Sequence, residues 1–377
     1  MKSGQVFKSF DRYSFHIELT EKCNAACPMC ARNVFGGKQH SGISTTEITL
    51  EQFKSFFTHE MIATKVTAFS FGGNYGDPTL ATELIPILKY IIDCRPDMPI
   101  TLESNGGTNT PLFWEQLGSI LQNENQYCSF SIDGIEDTNH LYRQNVSWQK
   151  LINNIKAYIT SGGFARWNYI IFKHNEHQIN KARILANSLG FKAFRLKKSS
   201  RFDSSMSFPV YDRNGLFTHK IEVPAKVENT NEKYHPQLKA RTEVEYPKKL
   251  VTDGESQDID EELEKYIDTT IISCKSISEK SLYLSASGNI FPCCFISWAY
   301  KSEKRSIESQ QIHAELFDRF SLEECSILQY SLEEILQSNF FNEISKSWTK
   351  DSFSCGKLAI CSLICGKDSQ SFTTKTL

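Results

Sequence analysis

Apolar and polar positions along the first 200 residues predict repeated pairs of strands and helices. Short runs rich in β-branched and aromatic residues alternate with stretches whose apolar residues lie three and four positions apart, the spacing of an amphipathic helix. Strands that alternate with helices indicate a parallel sheet, and six such units fall short of a closed eight-fold barrel. We therefore predict an α/β fold, a partial (β/α)6 TIM-like barrel that is open on one side. The predicted strands are YSFHIELT, KVTAFSFGG, PITLESNGG, YCSFSIDG, WNYIIFKHN and KAFRLKK.

The helical stretches between these strands carry start and stop signals of their own. Thr49, followed three residues later by Gln52, fits a capping box at a helix start. Gly162, Gly163 and Gly190 follow predicted helix ends, where glycine adopts the left-handed conformation easily. The predicted helices are LEQFKSFF, ELIPILKYIIDC, LFWEQLGSIL, WQKLINNIKAYI and INKARILANSLG.

The regular pattern stops near residue 203, and a different composition follows. Residues 203–262 carry scattered charges, four prolines and the acidic run DGESQDIDEELE, which favour a linker or an insertion that covers the substrate. A solvated surface connection is the simpler interpretation of the same residues. Residues 263–377 combine a hairpin-like SLYLSASGNIFPCC with a cysteine-rich end, which indicates a small C-terminal domain held together by metal. We expect three parts: residues 1–202, 203–262 and 263–377.

Composition and charge narrow the function classes. The 377 residues are 40% hydrophobic and 23% charged, as in an ordinary globular protein, and no apolar run approaches the roughly 18 residues of a membrane span. A net charge of -2 gives no electrostatic reason to expect nucleic acid or an anionic membrane as a partner. The amino-terminal MKSGQVFKSFDRYSF lacks the features of a secretory signal, so we expect the cytoplasm.

Cysteine usage is the strongest chemical signal in the chain. In a reducing compartment, twelve cysteines favour metal binding or catalysis over disulfides. Cys23, Cys27 and Cys30 form a CxxxCxxC pattern directly after the first predicted strand. Three thiolates can bind three irons of a cubane cluster and leave the fourth iron open for chemistry. Zinc is the alternative, although a structural zinc site needs a fourth ligand nearby.

This cysteine pattern after a first strand resembles the signature of the radical S-adenosylmethionine (SAM) superfamily. The resemblance implies a [4Fe-4S] cluster that binds SAM and cleaves it to a 5'-deoxyadenosyl radical. It also implies a flavodoxin- or ferredoxin-type electron donor. One position departs from the family: Met29 stands before the third cysteine, where the residue is usually aromatic.

The second and third strands end in residues that the resemblance assigns to the SAM pocket. In SFGGNYGDPTL, the residues Gly76, Asp77 and Pro78 are similar to the end of the family's Gly-Gly-Glu-Pro motif, with tyrosine in place of the first glycine. Asp77 is the carboxylate implied to bind the SAM ammonium group. In ESNGG, the residues Ser104 and Asn105 are implied to contact the SAM ribose or carboxylate, with simple turn capping as the alternative.

The fourth and fifth strands extend the same resemblance. SFSIDGIEDTNHLYR is similar to a family phrase that would direct Ser131, Asp133 and Arg143 to the SAM pocket, with Arg143 on the SAM carboxylate. A surface ion pair is the alternative for Arg143. Asn175, in FKHNEHQ, is implied to help seat the adenosine, although helix capping explains it equally well. Histidines 140, 174 and 177 lie in strand-end loops, where most histidines are solvated, and no catalytic residue is assigned.

A second group of cysteines lies near the carboxyl end. Their spacing, CxnGx4C and a later Cx5Cx3C, resembles the SPASM and twitch auxiliary domains of radical SAM enzymes, with Ser352 standing where a further cysteine would complete a CxxC. The resemblance implies one auxiliary [4Fe-4S] cluster, with zinc as the alternative. Cys325 is predicted to be an ordinary buried thiol. The implied ligands are Cys274, Cys293, Cys361 and Cys365, with Cys355 and Cys294 as possible substitutes.

Together these features predict an oxidoreductase-like radical SAM enzyme. The auxiliary domain favours a maturase that modifies a ribosomally made peptide, although only 22 residues precede Cys23 and no separate peptide-recognition domain is visible there. A dehydrogenase or rearrangement enzyme that acts on a small molecule, such as a sugar or antibiotic precursor, is the second hypothesis. A non-catalytic zinc or iron-sulfur scaffold is the third.

Overall fold

The structure of the protein is a computed structural model. It describes residues 6–7, 10–199, 201–202, 206–225, 261–301 and 307–367. Most of the predicted linker, including most of the run DGESQDIDEELE, lies outside the described residues. No helix in these described ranges is long and apolar enough to cross a membrane.

One mostly parallel sheet of eight strands organises the chain. Its order is β10 (Ile290–Phe291), β9 (Ser281–Leu284) and then β1 to β6 in sequence. The six predicted strands are β1 to β6, and each pairs in parallel with its neighbours in the chain. The sheet is open between its edges β6 and β10, so the predicted α/β partial barrel is confirmed. The six strands are β1 (Tyr13–Ile17), β2 (Val66–Phe71), β3 (Ile100–Ser104), β4 (Gln126–Ser131), β5 (Ala165–Ile171) and β6 (Ala193–Lys198).

Helices cover one face of this sheet and leave the other face more polar. On the helical side, Phe130 of β4 packs against Trp114 and Tyr158, with ring centroids 5.3 and 5.4 Å away. Successive strand residues point to opposite faces, so the other face of the central strand β3 carries Glu103, which is exposed. The helices are α1 (Leu50–Phe56), α2 (His59–Lys65), α3 (Leu84–Cys94), α4 (Pro111–Gly118), α5 (Asn139–Tyr142), α6 (Trp148–Thr160) and α7 (Ile179–Leu189).

The sequence signals place most of these helix ends correctly. Thr49 and Gln52 form the capping box at the start of α1. Gly190 ends α7 with a φ of 93°, the left-handed conformation expected of a glycine cap. The short helix α2 was not predicted, because its seven residues carry only one buried side chain, Ile62, and hence no apolar stripe.

The predicted linker contains a two-stranded antiparallel hairpin, β7 (Ser207–Tyr211) and β8 (Phe217–Glu222). The Tyr211 amide donates to the Phe35 carbonyl at 2.9 Å, and the rings of Phe35 and Phe208 lie 5.1 Å apart. The hairpin therefore packs on the loop that follows the first cysteine group.

The C-terminal part joins the main sheet. The predicted hairpin is present as β9 (Ser281–Leu284) and β10 (Ile290–Phe291), and β9 pairs in parallel with β1. Sequence analysis did not anticipate this pairing between two distant segments. The C-terminal helices are α8 (Glu261–Thr269), α9 (Lys275–Ser278), α10 (Cys294–Lys301), α11 (Ile307–Ile312), α12 (Leu332–Gln337), α13 (Asn339–Ser347) and α14 (Ala359–Cys365).

Candidate functional site

The loop after β1 brings Cys23, Cys27 and Cys30 together, and we call these three residues the N-terminal cysteine site. The Cys30 amide donates to the Cys27 carbonyl at 3.0 Å, which folds the loop into a tight turn. Burial raises the pKa of the Cys23 thiol, and the nearby charges of Asp77 and the other two thiols raise it further. Burial likewise raises the pKa of Cys27.

Each thiol of this site has a hydrogen-bond donor beside its sulfur. The Arg143 guanidinium donates to Cys27 Sγ at 3.6 Å, and the Asn105 amide group lies 4.0 Å from Cys23 Sγ. The Arg32 backbone amide donates to Cys30 Sγ at 3.5 Å. Donors to sulfur stabilise thiolates and tune the metal that they bind.

These residues fit an iron-sulfur cluster by the chemistry of their donor set. Three thiols follow one another in one loop, and polar N–H groups face their sulfurs. Within the described ranges, no group of three or more His, Cys, Asp or Glu side chains is arranged to hold a single metal ion. The thiolates of a cubane cluster each bind a different iron.

Asp77 is the centre of a buried hydrogen-bond network. Its Oδ1 accepts bonds from the Thr79 hydroxyl at 2.6 Å and the Ser104 hydroxyl at 2.9 Å. Its Oδ2 accepts from the Asn105 backbone amide at 2.8 Å and from the Asn105 side chain at 2.7 Å. The same Asn105 side chain reaches Asn24, inside the cysteine loop, at 2.8 Å. Asp77 thus holds the ends of β2 and β3 against the N-terminal cysteine site.

The glycine at position 76 is required by a close approach of the backbone. A Cβ atom on Gly76 would lie 1.7 Å from the Thr20 carbonyl oxygen, so only glycine fits against the cysteine loop. Pro78 begins the short 3-10 helix Pro78–Leu80, for which the Asp77 side chain forms the cap.

Asp133 and Arg143 form a buried ion pair. Asp133 is 0% exposed, its Oδ2 accepts from Arg143 Nε at 2.6 Å, and its Oδ1 accepts from the Ile170 amide at 2.5 Å. Burial raises the pKa of Asp133, and the Arg143 charge opposes that rise. The alternative interpretation of Arg143, that it forms an ion pair at the surface, is therefore wrong. Ser131, the last residue of β4, pairs with Asn168 of the neighbouring strand β5.

Asn175 is a structural link between two strand ends. Its side-chain amide donates to the carbonyls of Asp133 and Ile170, both at 2.9 Å, and its oxygen accepts from the Phe172 amide at 2.8 Å. The side chain makes no capping bond to the helix that follows, so the capping alternative is wrong.

Two of the three strand-end histidines are exposed, His140 and His177. His174 is different. Both of its ring nitrogens are buried and have no hydrogen-bond partner among the described residues, and burial lowers its pKa to about 4. The expectation of a solvated histidine is therefore wrong for His174.

Sequence reasoning missed Glu18, which connects the site to the C-terminal part. Glu18 is 2% exposed, and its Oε1 accepts from the backbone amides of Tyr75 and Gly76 at 2.7 and 2.9 Å. Its Oε2 accepts from the Tyr283 hydroxyl of β9 at 2.7 Å. The sequence signal that could have identified Glu18 is an acidic residue immediately after an apolar strand, in YSFHIELTEKC.

Asn74 and Glu21 make further links between the same two regions. The Asn74 carbonyl accepts from Cys30 Sγ at 3.9 Å, and its side chain donates to the Cys294 carbonyl at 2.9 Å. Glu21 is buried and forms an ion pair with Lys301 of α10. The loop between β2 and the 3-10 helix thus contacts the chain directly beside Cys293.

The four implied auxiliary ligands line one pocket. We call it the C-terminal cysteine pocket and define it by Cys274, Cys293, Cys361 and Cys365. Cys294, at the start of α10, does not line this pocket, and Cys355 is exposed at the surface. Cys325 is fully buried elsewhere, as an ordinary thiol would be. The other lining residues are Ile272, Pro292, Phe295, Ile296, Ile344, Trp348, Ile360 and Ile364.

Within this pocket, Cys274 and Cys365 are neighbours although they lie 91 positions apart in the sequence. A hydrogen bond between the two thiols raises the pKa of Cys274 and lowers that of Cys365. The Lys275 amide also donates to Cys365 Sγ at 3.5 Å. The packing of α14 against the start of α9 therefore assembles a set of sulfur donors that suits a soft metal centre.

Comparison with known proteins gives a family match in the N-terminal part of the chain. Residues 17–182 match the family described as the radical SAM superfamily, a range that runs from the last residue of β1 through β5 into α7 and includes the N-terminal cysteine site. A comparison with curated protein sequences found no match.

Solved structures share the fold over nearly the whole chain. Streptococcus suis SuiB is 14% identical with a TM-score of 0.54, covering 94% of this chain and 73% of that one. SuiB bound to its precursor peptide SuiA is 13% identical with a TM-score of 0.53, covering 94% and 72%. The protein anSMEcpe with bound AdoMet is 14% identical with a TM-score of 0.50, covering 95% and 87%.

Proposed function

We propose that this chain, a member of the radical SAM superfamily through residues 17–182, reductively cleaves SAM at a [4Fe-4S] cluster held by the N-terminal cysteine site. When bound, the cluster and SAM supply a 5'-deoxyadenosyl radical that takes a hydrogen atom from the substrate. The single observation that carries this proposal is the set of three thiols, each beside an N–H donor, inside the matched domain.

The chain's own residues hold and orient the reactants. Arg143 and Asn105 direct N–H groups at the cysteine sulfurs, which favours the thiolate form that metal binding needs. Asp77 fixes Asn105 in that position through two hydrogen bonds. The residues that we propose to line the SAM pocket are Gly76, Asp77, Pro78, Ser104, Asn105, Ser131, Asp133, Arg143 and Asn175.

The C-terminal cysteine pocket is proposed to hold one auxiliary [4Fe-4S] cluster. Its four cysteines, each half-buried, lie in a lining that is otherwise aliphatic and aromatic, and a hydrophobic shell of this kind limits the access of solvent to a metal centre. Cys294 and Cys355 are not needed in this ligand set, because neither lines the pocket.

The proposed substrate is a peptide, and the proposed reaction is its maturation. SuiB, which shares the fold, binds the precursor peptide SuiA. The polar face of the sheet carries Glu103 on β3 and Lys197 on β6, both exposed, so groups of both charges are available to a peptide chain. A flavodoxin- or ferredoxin-type protein in the cytoplasm is the proposed electron donor.

Anaerobic reconstitution tests the proposal. We expect about eight irons per chain and release of 5'-deoxyadenosine after dithionite is added. Replacing Cys23, Cys27 and Cys30 together by Ala should abolish that release, because these three thiols are the ligands proposed to leave one iron open for SAM. Cys94→Ala, in α3 and away from both cysteine groups, is the matched control and should retain full release. Zinc alone in the wild-type protein would support a scaffold instead, and release by the triple variant would contradict the assignment.

A further inference from the structure

A tryptophan lines the C-terminal cysteine pocket with an unsatisfied polar atom. Trp348 follows the last residue of α13, and its indole nitrogen Nε1 is buried with no hydrogen-bond partner among the described residues. Phe7 contacts the ring edge-on, with centroids 5.7 Å apart. The ring is therefore packed in place while its N–H group has no acceptor.

A buried N–H group without an acceptor is unusual in folded proteins. Such a donor loses its hydrogen bond to water and gains none in return, so a native structure normally supplies a partner. The side chains that line this pocket are apolar apart from the four cysteines and Trp348 itself. Sulfur is therefore the acceptor that the lining side chains offer to the indole.

Four sulfurs line this pocket together with the indole, those of Cys274, Cys293, Cys361 and Cys365. A deprotonated, iron-bound cysteine would be a stronger acceptor than a neutral thiol, because charge-assisted hydrogen bonds are shorter and stronger.

We propose that Trp348 is a positioning residue for the auxiliary cluster, and that its indole N–H donates a hydrogen bond to one of these cysteine thiolates or to an adjacent cluster sulfide. This inference rests on the proposed function, since it needs a cluster in the C-terminal cysteine pocket. A donor to sulfur stabilises the more negative, reduced cluster, so Trp348 raises the reduction potential of the auxiliary cluster.

Redox titration of the reconstituted holoprotein, followed by EPR, tests this role. Trp348→Phe removes the N–H group and should shift the midpoint potential of the auxiliary cluster to a more negative value. Trp348→His keeps a ring N–H group and should restore part of that shift. Trp148→Phe, in α6 and away from the pocket, is the matched control and should leave both potentials unchanged.

The outcomes separate the two proposals. Unchanged potentials in a Trp348→Phe protein that holds about eight irons would overturn the role of Trp348 alone. A wild-type protein with only about four irons would overturn the auxiliary cluster, and the role of Trp348 with it.

A measurement on the unmutated chain covers the case in which Trp348→Phe does not fold. Protein labelled with ¹⁵N in the indole rings of tryptophan should show a ¹⁵N coupling to the reduced auxiliary cluster by pulsed EPR. Absence of that coupling would also overturn the proposal.

Discussion

The two cysteine regions of this chain differ in what surrounds their sulfur atoms. At the N-terminal cysteine site, N–H groups of Arg143, Asn105 and Arg32 face the thiols. In the C-terminal cysteine pocket, isoleucine, proline and aromatic rings surround the thiols, and the lining side chains offer one further polar group, the indole of Trp348.

Under the proposed function, this difference favours cofactor chemistry at the first site and storage or transfer of an electron at the second. A polar surrounding can bind the charged groups of an incoming cofactor, and it sits at the carboxyl ends of the strands, where ligands bind in open α/β sheets. An apolar surrounding limits the access of solvent and lowers the local dielectric constant around a resident group. Three experiments can break or sharpen this comparison.

The largest expected effect comes from removing ligands of the C-terminal cysteine pocket. Cys361→Ala with Cys365→Ala should lower the iron content from about eight to about four per chain, because one of the two cubane sites is lost. Release of 5'-deoxyadenosine should persist, because the N-terminal cysteine site is intact. Iron analysis and chromatography of the nucleoside products measure the two results. Loss of all iron in a variant with a native circular dichroism spectrum would show that the two sites are not separate.

The next effect concerns the buried ion pair beside the N-terminal cysteine site. Arg143→Gln leaves the fully buried Asp133 carboxylate without its cation and should lower the free energy of unfolding by about 3–5 kcal/mol. Arg183→Gln, in α7, removes a guanidinium that makes an exposed hydrogen bond to Asn180; it is the control and should change the free energy of unfolding by less than about 0.5 kcal/mol. Urea denaturation of the reconstituted proteins gives both values. A change at Arg143 as small as that of the control would show that water or another cation reaches Asp133.

The smallest effect is a pH dependence at Glu18, which joins the two regions. Burial raises the pKa of Glu18, so the native state holds this proton more tightly than the unfolded chain does. Stability should therefore fall as the pH rises above the ordinary glutamate pKa of about 4.3, until the carboxyl is ionised in the native state as well. Glu18→Gln should remove the contribution of this carboxyl to the pH dependence of stability.

Unfolding free energies of the wild-type and Glu18→Gln proteins across that pH range test the assignment. The free energy of unfolding of Glu18→Gln, relative to that of the wild-type protein, should increase with pH and then level off. Glu51→Gln, on the exposed start of α1, is the matched control and should follow the wild-type curve. A constant difference between wild type and Glu18→Gln at every pH would contradict the direction of the shift.

Local sequence patterns predicted those elements of the fold that depend on residues close together in the chain. The strands β1 to β6 and the capping box at Thr49 follow from residues within one short window, and the structure contains them. The grouping of cysteines 274, 293, 361 and 365 was available only through the family resemblance, and the structure brings these four residues to one pocket. Whether they bind a cluster stays a prediction.

The parts that sequence reasoning missed depend on contacts between distant segments. The bond from Tyr283 to Glu18 spans 265 positions, and the bond from Asn74 to the Cys294 carbonyl spans 220. No periodicity or spacing encodes such a pair, because each residue alone looks like an ordinary polar residue beside a strand. Trp348 was missed for the same reason, since an indole near a helix end usually means packing alone.

The pairing of β9 with β1 has a consequence for protein engineering. A chimera that takes the C-terminal part from a homologous protein would replace the strand that borders β1. It would also replace Tyr283, whose hydroxyl donates a hydrogen bond to Glu18. A crossover placed in the sequence between β8 and α8 would therefore divide one hydrogen-bonded sheet rather than two independent units. Functional hybrids of this chain should require Glu18 and Tyr283, or a compatible substitute pair, to be inherited from the same parent.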